Sequence, residues 1–258
     1  MASNVAKRRL LILGGNGYVG QNVCHAAIVS GNFDLVRSLN RSGRPSPSSV
    51  PDHLSSTLSS VEWTSGDVFD ERARSDAMSG IDVVVSCVGA FGSNEYMQRA
   101  CGDATIAAIE SARGGGVTTF GFVSSAQVYD GSAASKLPSF APMYGYFEGK
   151  RRAEEELIRS YPNGHAILRP GFIYGPRRLG GRTVPLQLIG GPIDFVGTRM
   201  GPMSTLLQRF PFVGKELSSM VRVESVGRAM IGSVLAVAEG GGRTGKGAIL
   251  DAESIRKF

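Results

Sequence analysis

The chain has 258 residues, 42% of them hydrophobic, with a formal net charge of +6 and a pI near 9.4. That is enough apolar material for one sizeable core with a small lobe, and the scattered Lys and Arg, not interleaved with aromatics, argue against a nucleic-acid partner and for anionic ligands or an acidic membrane surface. Three cysteines, Cys24, Cys87 and Cys101, lack metal-type spacing, which argues against a disulfide framework or a metal site.

Leu10-Leu11-Ile12-Leu13 is an apolar run ending in turn signals, the pattern of a strand buried on both faces. It leads straight into Gly14-Gly15-Asn16-Gly17-Tyr18-Val19-Gly20. Glycines at 14, 17 and 20 suit a tight turn, a close backbone approach to a pyrophosphate and close packing of the next helix. The first helical turn would aim free amides at the phosphates. The helix is expected over Gln21 to Ser30, with Val23, Ala26 and Ala27 inward and Gly31-Asn32 ending it.

Leu35 to Asn40 reads as a second strand, closed by Asn40-Arg41-Ser42-Gly43-Arg44. In a dinucleotide fold an acid here grips the adenosine ribose 2′-hydroxyl and favours NAD(H); this chain carries Arg41, which suits a 2′-phosphate and favours NADP(H). Residues 45–60 are rich in Ser and Pro and read as a loop with a weak short helix. Val61-Glu62-Trp63 is a third strand. Asp67 and Val68 follow it, where Asp67 could accept from the adenine amino group or cap the helix Glu71–Met78.

Ile81 to Gly89 is apolar enough for a central strand, and its end, Cys87-Val88-Gly89, lets backbone pass close to a cofactor. A long helix is expected over Asn94 to Ala112, broken by Gly114-Gly115-Gly116, and Thr118 to Ser125 reads as another strand. Strands alternating with helices argue an α/β fold with a doubly wound parallel sheet.

Two pieces carry chemistry. Ser124-Ser125 closes a strand at the edge where open α/β sheets bind ligands. Tyr146 and Lys150 are four apart and share one helix face. An ammonium beside a phenol favours the phenolate, lowering its pKa from about 10 toward neutrality, which suits proton exchange with a carbonyl or hydroxyl oxygen. Ser125 could hold that oxygen, and Lys150 could also reach the ribose hydroxyls. Glu154, Glu155 and Glu156 read as a solvated helix face.

Gly14-x-x-Gly17-x-x-Gly20, Ser125, Tyr146-x-x-x-Lys150 and Arg169-Pro170-Gly171-Phe172-Ile173-Tyr174-Gly175 together resemble the short-chain dehydrogenase/reductase superfamily, of the extended or atypical kind. With Ser86 to Asn94 and Tyr146 to Lys150, they look like a plant and fungal organellar branch. That branch is similar to the nucleotide-binding accessory subunit of mitochondrial complex I and to a coenzyme Q biosynthesis factor. The resemblance implies a Rossmann core binding a nicotinamide dinucleotide, a mitochondrial or plastid home and a quinone-related role. It also implies Ser125, Tyr146 and Lys150 as catalytic, and nicotinamide contacts from Pro170, Gly171 and Ile173. The fourth strand ends in Ser86-Cys87-Val88-Gly89 where the superfamily pattern has Asn-Asn-Ala-Gly. The complex I subunit is thought to hold nucleotide structurally, so a membrane-complex accessory role stands beside the enzyme.

Beyond Gly175 the alternation stops. The expected division is a core over 1–175, a small C-terminal substrate or docking lobe over 176–222, and a return to the core over 223–258. The lobe's apolar residues, among them Leu186, Ile193, Phe195, Leu206 and Phe210, would form its own core, a quinone or isoprenoid site, or a surface for a membrane or partner. Arg177, Arg178 and Arg182 would border phosphates or lipid headgroups. Val223 begins a returning helix and Ala248 to Asp251 a last strand. Residues 1–9 are too short for a targeting segment, so the chain is expected to be cytosolic or to have lost one.

Overall fold

A computed structural model of the chain describes residues 7–128, 136–179, 182–185, 220–240 and 247–258. The first strand, β1 (Arg8–Leu13), is buried over its last four residues. Leu10 and Ile12 belong to one apolar layer, Leu11 and Leu13 to the other. This two-sided burial is why the run carries no polar alternation. The glycine turn leads into α1 (Tyr18–Ser30), which Gly31 ends in the left-handed conformation.

The chain continues through β2 (Phe33–Asn40), two 3₁₀ turns with the short α2 (Ser55–Leu58), β3 (Glu62–Ser65), α3 (Glu71–Met78) and β4 (Val83–Ser86). A helical run follows: α4 (Asn94–Gln98), a π-turn over Arg99–Asp103 and α5 (Ala104–Gly114). Next come β5 (Thr119–Val123), α6 (Tyr144–Ser160), β6 (His165–Arg169), β7 (Ile173–Tyr174), β8 (Pro176–Leu179) and β9 (Arg182–Pro185). The described chain closes with β10 (Val221–Arg222), α7 (Val223–Gly240), β11 (Ala248–Asp251) and α8 (Ala252–Arg256).

Seven parallel strands form the main sheet, in the order β11-β6-β5-β4-β1-β2-β3. The chain runs outward from β1 to β3, then returns to the other side of β1 with β4. The crevice at that reversal, outside the carboxyl ends of β1 and β4, is where such sheets bind ligands. One face of the sheet is covered by α1 and α7, the other by α3, α5 and α6. The doubly wound parallel architecture expected from the alternating pattern is the observed one.

Three local expectations change. The helix expected over 94–112 is interrupted by a π-turn. Its backbone is crowded there: a Cβ at Gly102 would lie 2.8 Å from the Gly149 Cα, and Cys101 Sγ meets the Ala90 amide and carbonyl at 3.5 Å. The cap of α3 is Asp70, whose Oδ1 accepts from the amides of Arg72 (2.9 Å) and Ala73 (3.2 Å), not Asp67. Glu154 is fully buried, because α6 is tied to β6 by its paired contact with Arg169. Strand β6 and helix α8 carried no separate signal, each being only five residues long. Of the expected lobe, residues 186–219 with Leu186, Ile193, Phe195, Leu206 and Phe210 lie outside the described residues, as does the side chain of Arg182.

Candidate dinucleotide and proton-transfer site

The glycine turn has three separable jobs. Gly14 sits at φ 76, and a Cβ on it would press at 3.4 Å on the Cys87 carbonyl and the Val88 amide. Gly20 is where α1 crosses the turn; its Cβ would fall 2.2 Å from the Gly14 oxygen. Gly17 caps α1 with no side chain, and its amide donates to the Gly14 carbonyl at 3.1 Å. The amides of Tyr18, Val19 and Gly20 then begin a 13-residue helix with no intrahelical acceptor and no acidic residue in the first turn. Those donors and the helix dipole favour an anion.

Gly15 and Asn16 face the other way. The Gly15 amide donates to Ser38 Oγ (3.2 Å), and the Asn16 amide to Asn40 Oδ1 (3.0 Å). Asn16 Nδ2 donates to Ser42 Oγ at 2.9 Å and to the Gly43 carbonyl at 3.2 Å. The loop after β2 is therefore braced against the glycine turn by Asn16, Asn40 and Ser42. Arg41, at the tip of that loop, is exposed and pairs with no carboxylate among the described residues.

A cleft of about 330 Å³ opens at the reversal point. It is lined by Gly14, Asn16 and Gly17 from the turn, by Asn40 and Arg41 after β2, by Asp67 and Val68 after β3, and by Cys87, Val88 and Gly89 after β4. Residues with no sequence signal complete it: Leu39, Gly66, Phe69, Ala90 and, from the helical run, Tyr96, Arg99, Ala100 and Ala104. The spacing of Tyr96, Arg99 and Ala100 along one helix face is the signal that could have found part of this wall. Asp67 Oδ1 accepts from the Phe69 amide at 2.9 Å. Free helix amides, a glycine cradle that side chains would fill and an unpaired arginine fit the phosphates and ribose of a dinucleotide.

The proton-transfer candidates lie beyond Cys87 and Gly89. Lys150 is 3% exposed. Its Nζ donates to the carbonyls of Val123 (2.7 Å) and Val88 (3.2 Å), joining the end of β5 to the loop after β4. It lies 4.6 Å from the Phe122 ring centroid and 5.9 Å from that of Tyr146. Burial pushes the Lys150 ammonium below its ordinary range, with nearby Cys101, Cys87 and Glu154 opposing. Tyr146 is stacked by Phe91 (centroids 5.4 Å apart, 12° between planes) and met edge-on by Phe147 at 5.4 Å. Burial raises the Tyr146 phenol above its ordinary range, with Cys101 adding to the rise. The depressed phenol expected from the four-residue spacing is thus not the direction this geometry gives: burial raises it.

Ser125 is buried at the end of β5 and its hydroxyl donates to Gln127 Oε1. The neighbouring Ser124 hydroxyl is also buried and has no hydrogen-bond partner among the described residues. Pro170, Gly171 and Ile173 follow β6 alongside: the Ala126 amide donates to the Pro170 carbonyl at 2.8 Å, and Ile173 pairs with Val221. Tyr18 lies under Arg177, whose guanidinium carbon is 5.6 Å from the ring centroid. Among the described residues no cluster of His, Cys, Asp and Glu could hold a metal ion, and no helix is long and apolar enough to cross a membrane.

A doubly wound parallel sheet with a glycine-cradled crevice at its reversal point defines the nicotinamide-dinucleotide-binding class of α/β proteins. A family model described as NAD(P)H-binding matches residues 14–188, and the chain belongs to that family. An uncharacterised chloroplastic protein of Arabidopsis thaliana is 38% identical over 91% of this chain and 74% of its own length. The mitochondrial protein FMP52-2 of Scheffersomyces stipitis is 28% identical over 64% of this chain and 66% of its own. MIOREX complex component 2 of Saccharomyces cerevisiae is 31% identical over 34% of this chain and 30% of its own. Among solved structures, MoeE5 in complex with UDP-glucose and NAD superposes at TM-score 0.60, with 20% identity over 94% of this chain and 75% of that one. The UDP-N-acetylglucosamine 4-epimerase of Methanobrevibacter ruminantium superposes at 0.62, with 15% identity over 96% and 77%. These structural likenesses concern the fold.

Proposed function

We propose that the chain is an oxidoreductase of the short-chain dehydrogenase/reductase type that prefers NADP(H) to NAD(H). On this reading it reduces an uncharged, apolar carbonyl compound, quinone-related compounds included, or runs the reverse oxidation. The observation that carries the reading is Lys150, buried and anchored between the Val88 and Val123 carbonyls, one helical turn from Tyr146 and next to the cleft. The preference for NADP(H) is supported by Arg41, which pairs with no carboxylate among the described residues and lies at the cleft where an acid would favour NAD(H).

When bound, the dinucleotide supplies or accepts a hydride at its nicotinamide ring. Tyr146 would give its phenolic proton to the substrate oxygen as a carbonyl becomes a hydroxyl, and would take a proton from that oxygen in the reverse direction. A phenol kept protonated by burial suits the reductive direction. Ser125 orients the substrate oxygen once its hydroxyl leaves Gln127. Lys150 fixes the end of β5 and the loop after β4 and supports the charge on Tyr146 as its proton departs. Pro170, Gly171 and Ile173 border the nicotinamide. An apolar substrate is supported by Phe91, 73% exposed and lying on the Tyr146 ring. The division into core, small lobe and returning segment, and an organellar home like that of the chloroplastic and mitochondrial relatives, belong to this same proposal.

A second reading is a nucleotide-holding accessory subunit of a membrane respiratory or quinone-biosynthesis complex, without turnover. It is favoured by the yeast relative named as a component of a complex and by the Phe91 ring covering Tyr146. Tyr146→Phe separates the two. The enzyme loses about 10²–10⁴-fold in turnover and keeps NADPH binding. If in vivo function survives Tyr146→Phe and is lost only when nucleotide binding is abolished, the enzyme reading fails.

A further inference from the structure

The helical run 94–114 contributes one wall of the cleft, and Arg99 is where that run changes pitch: the π-turn starts at this residue. Such turns are unfavourable irregularities that recur at functional sites, because one extra residue re-aims the side chains around it. Here the far side of the turn is pinned by Gly102 against Gly149 and by Cys101 against Ala90. Arg99 is exposed and pairs with no carboxylate among the described residues. Its guanidinium instead lies over the Phe69 ring, 4.5 Å from the centroid, and both residues line the cleft.

A guanidinium is planar and has two faces that stack. Phe69 takes one, and the other is left for a second flat group. The same end of the cleft presents Asp67, whose Oδ2 has no hydrogen-bond partner among the described residues, and Val68. A flat π-system with an exocyclic amine matches this set: its face for the cation, its amine for the carboxylate.

We propose that Arg99, held over the Phe69 ring, is the stacking platform for the adenine base, so that two arginines read the cofactor separately: Arg99 the base and Arg41 the 2′-phosphate. This rests on the dinucleotide reading of the cleft.

The test is a calorimetric titration of wild type, Arg99→Ala, Phe69→Leu and Arg41→Ala with NADPH, NADH, ADP-ribose and nicotinamide mononucleotide. Arg99→Ala weakens NADPH, NADH and ADP-ribose by one common factor, about three- to thirtyfold for a lost cation–π contact, and leaves nicotinamide mononucleotide unchanged. Phe69→Leu gives the same pattern at smaller size, and Arg41→Ala weakens NADPH alone. Unchanged affinities in Arg99→Ala overturn the proposal, as does a loss confined to NADPH, which would make Arg99 a phosphate ligand, or an equal loss of nicotinamide mononucleotide, which would make its role structural. If wild type takes up neither NADPH nor NADH, the dinucleotide reading falls and this proposal with it.

Discussion

Lys150 Nζ donates to the carbonyl oxygen of Val123 at 2.7 Å, so a side chain of α6 closes the carboxyl end of β5. With the second bond to Val88, the lysine links the end of β5 to the loop after β4, the strand on one side of the crevice. Lys150→Met keeps most of the apolar stem and removes the donor. Turnover is expected to fall about 10²–10⁴-fold, with NADPH affinity reduced less than about tenfold, the worth of roughly one hydrogen bond. Initial rates and a fluorescence titration of bound NADPH measure both.

Gly20→Ala tests the cradle. The added Cβ would sit 2.2 Å from the Gly14 oxygen and 2.6 Å from the Gly15 Cα, both backbone atoms that cannot rotate away. Helix α1 must then lift from the turn. We expect a loss of about 1–3 kcal/mol in urea denaturation and a severe loss of nucleotide binding. Gly31→Ala is the contrasting variant: nothing lies within 4 Å of its Cβ, so only the left-handed backbone opposes it, and binding is retained.

Glu154→Ala removes one partner of an ion pair whose carboxylate is fully buried and whose arginine, Arg169, bonds it at 2.7, 3.1 and 3.2 Å. Leaving the guanidinium without that carboxylate is expected to cost about 3–5 kcal/mol, toward the lower figure because Arg169 is partly exposed. Chemical denaturation measures it. Because the pair joins α6 to β6, turnover should fall further than the fraction unfolded explains.

Cys87 predicts a pH dependence. Burial pushes its thiol from 9.0 up to about 12. Between these values the folded protein keeps a proton that the unfolded chain has released. The contribution to stability is therefore complete below pH 9 and is lost as pH rises toward 12. Lys150, whose pKa is lowered from 10.5 by burial, acts with the opposite sign in the alkaline range, and remains in both proteins compared. Cys87→Ala should show a shallower loss of stability between about pH 8 and about pH 10.5 than wild type in urea melts. Equal slopes would refute the assignment.

Features that depend on neighbours in the chain were legible. Gly20 is required by contacts with Gly14 and Gly15, within seven residues, Gly14 by its own positive φ, and the two-sided burial of Leu10 to Leu13 shows as an unbroken apolar run. Features that depend on which loops converge were not. Asp67 and Asp70 are both plausible caps by position, and only the backbone path selects Asp70. Glu154 stands in a run of three glutamates, and only β6 distinguishes it by supplying Arg169.

The sequence by itself determined the alternating α/β layout, the glycine cradle and the four-residue spacing of Tyr146 and Lys150, because strand, turn and helix preferences act over a few residues. Tertiary packing alone shows that Lys150 bridges the end of β5 and the loop after β4, that burial raises the Tyr146 phenol above its ordinary range and that Arg99 lies over Phe69 in the cleft wall. Desolvation and stacking depend on groups brought together from 27 to 62 positions apart, a proximity that no local pattern encodes.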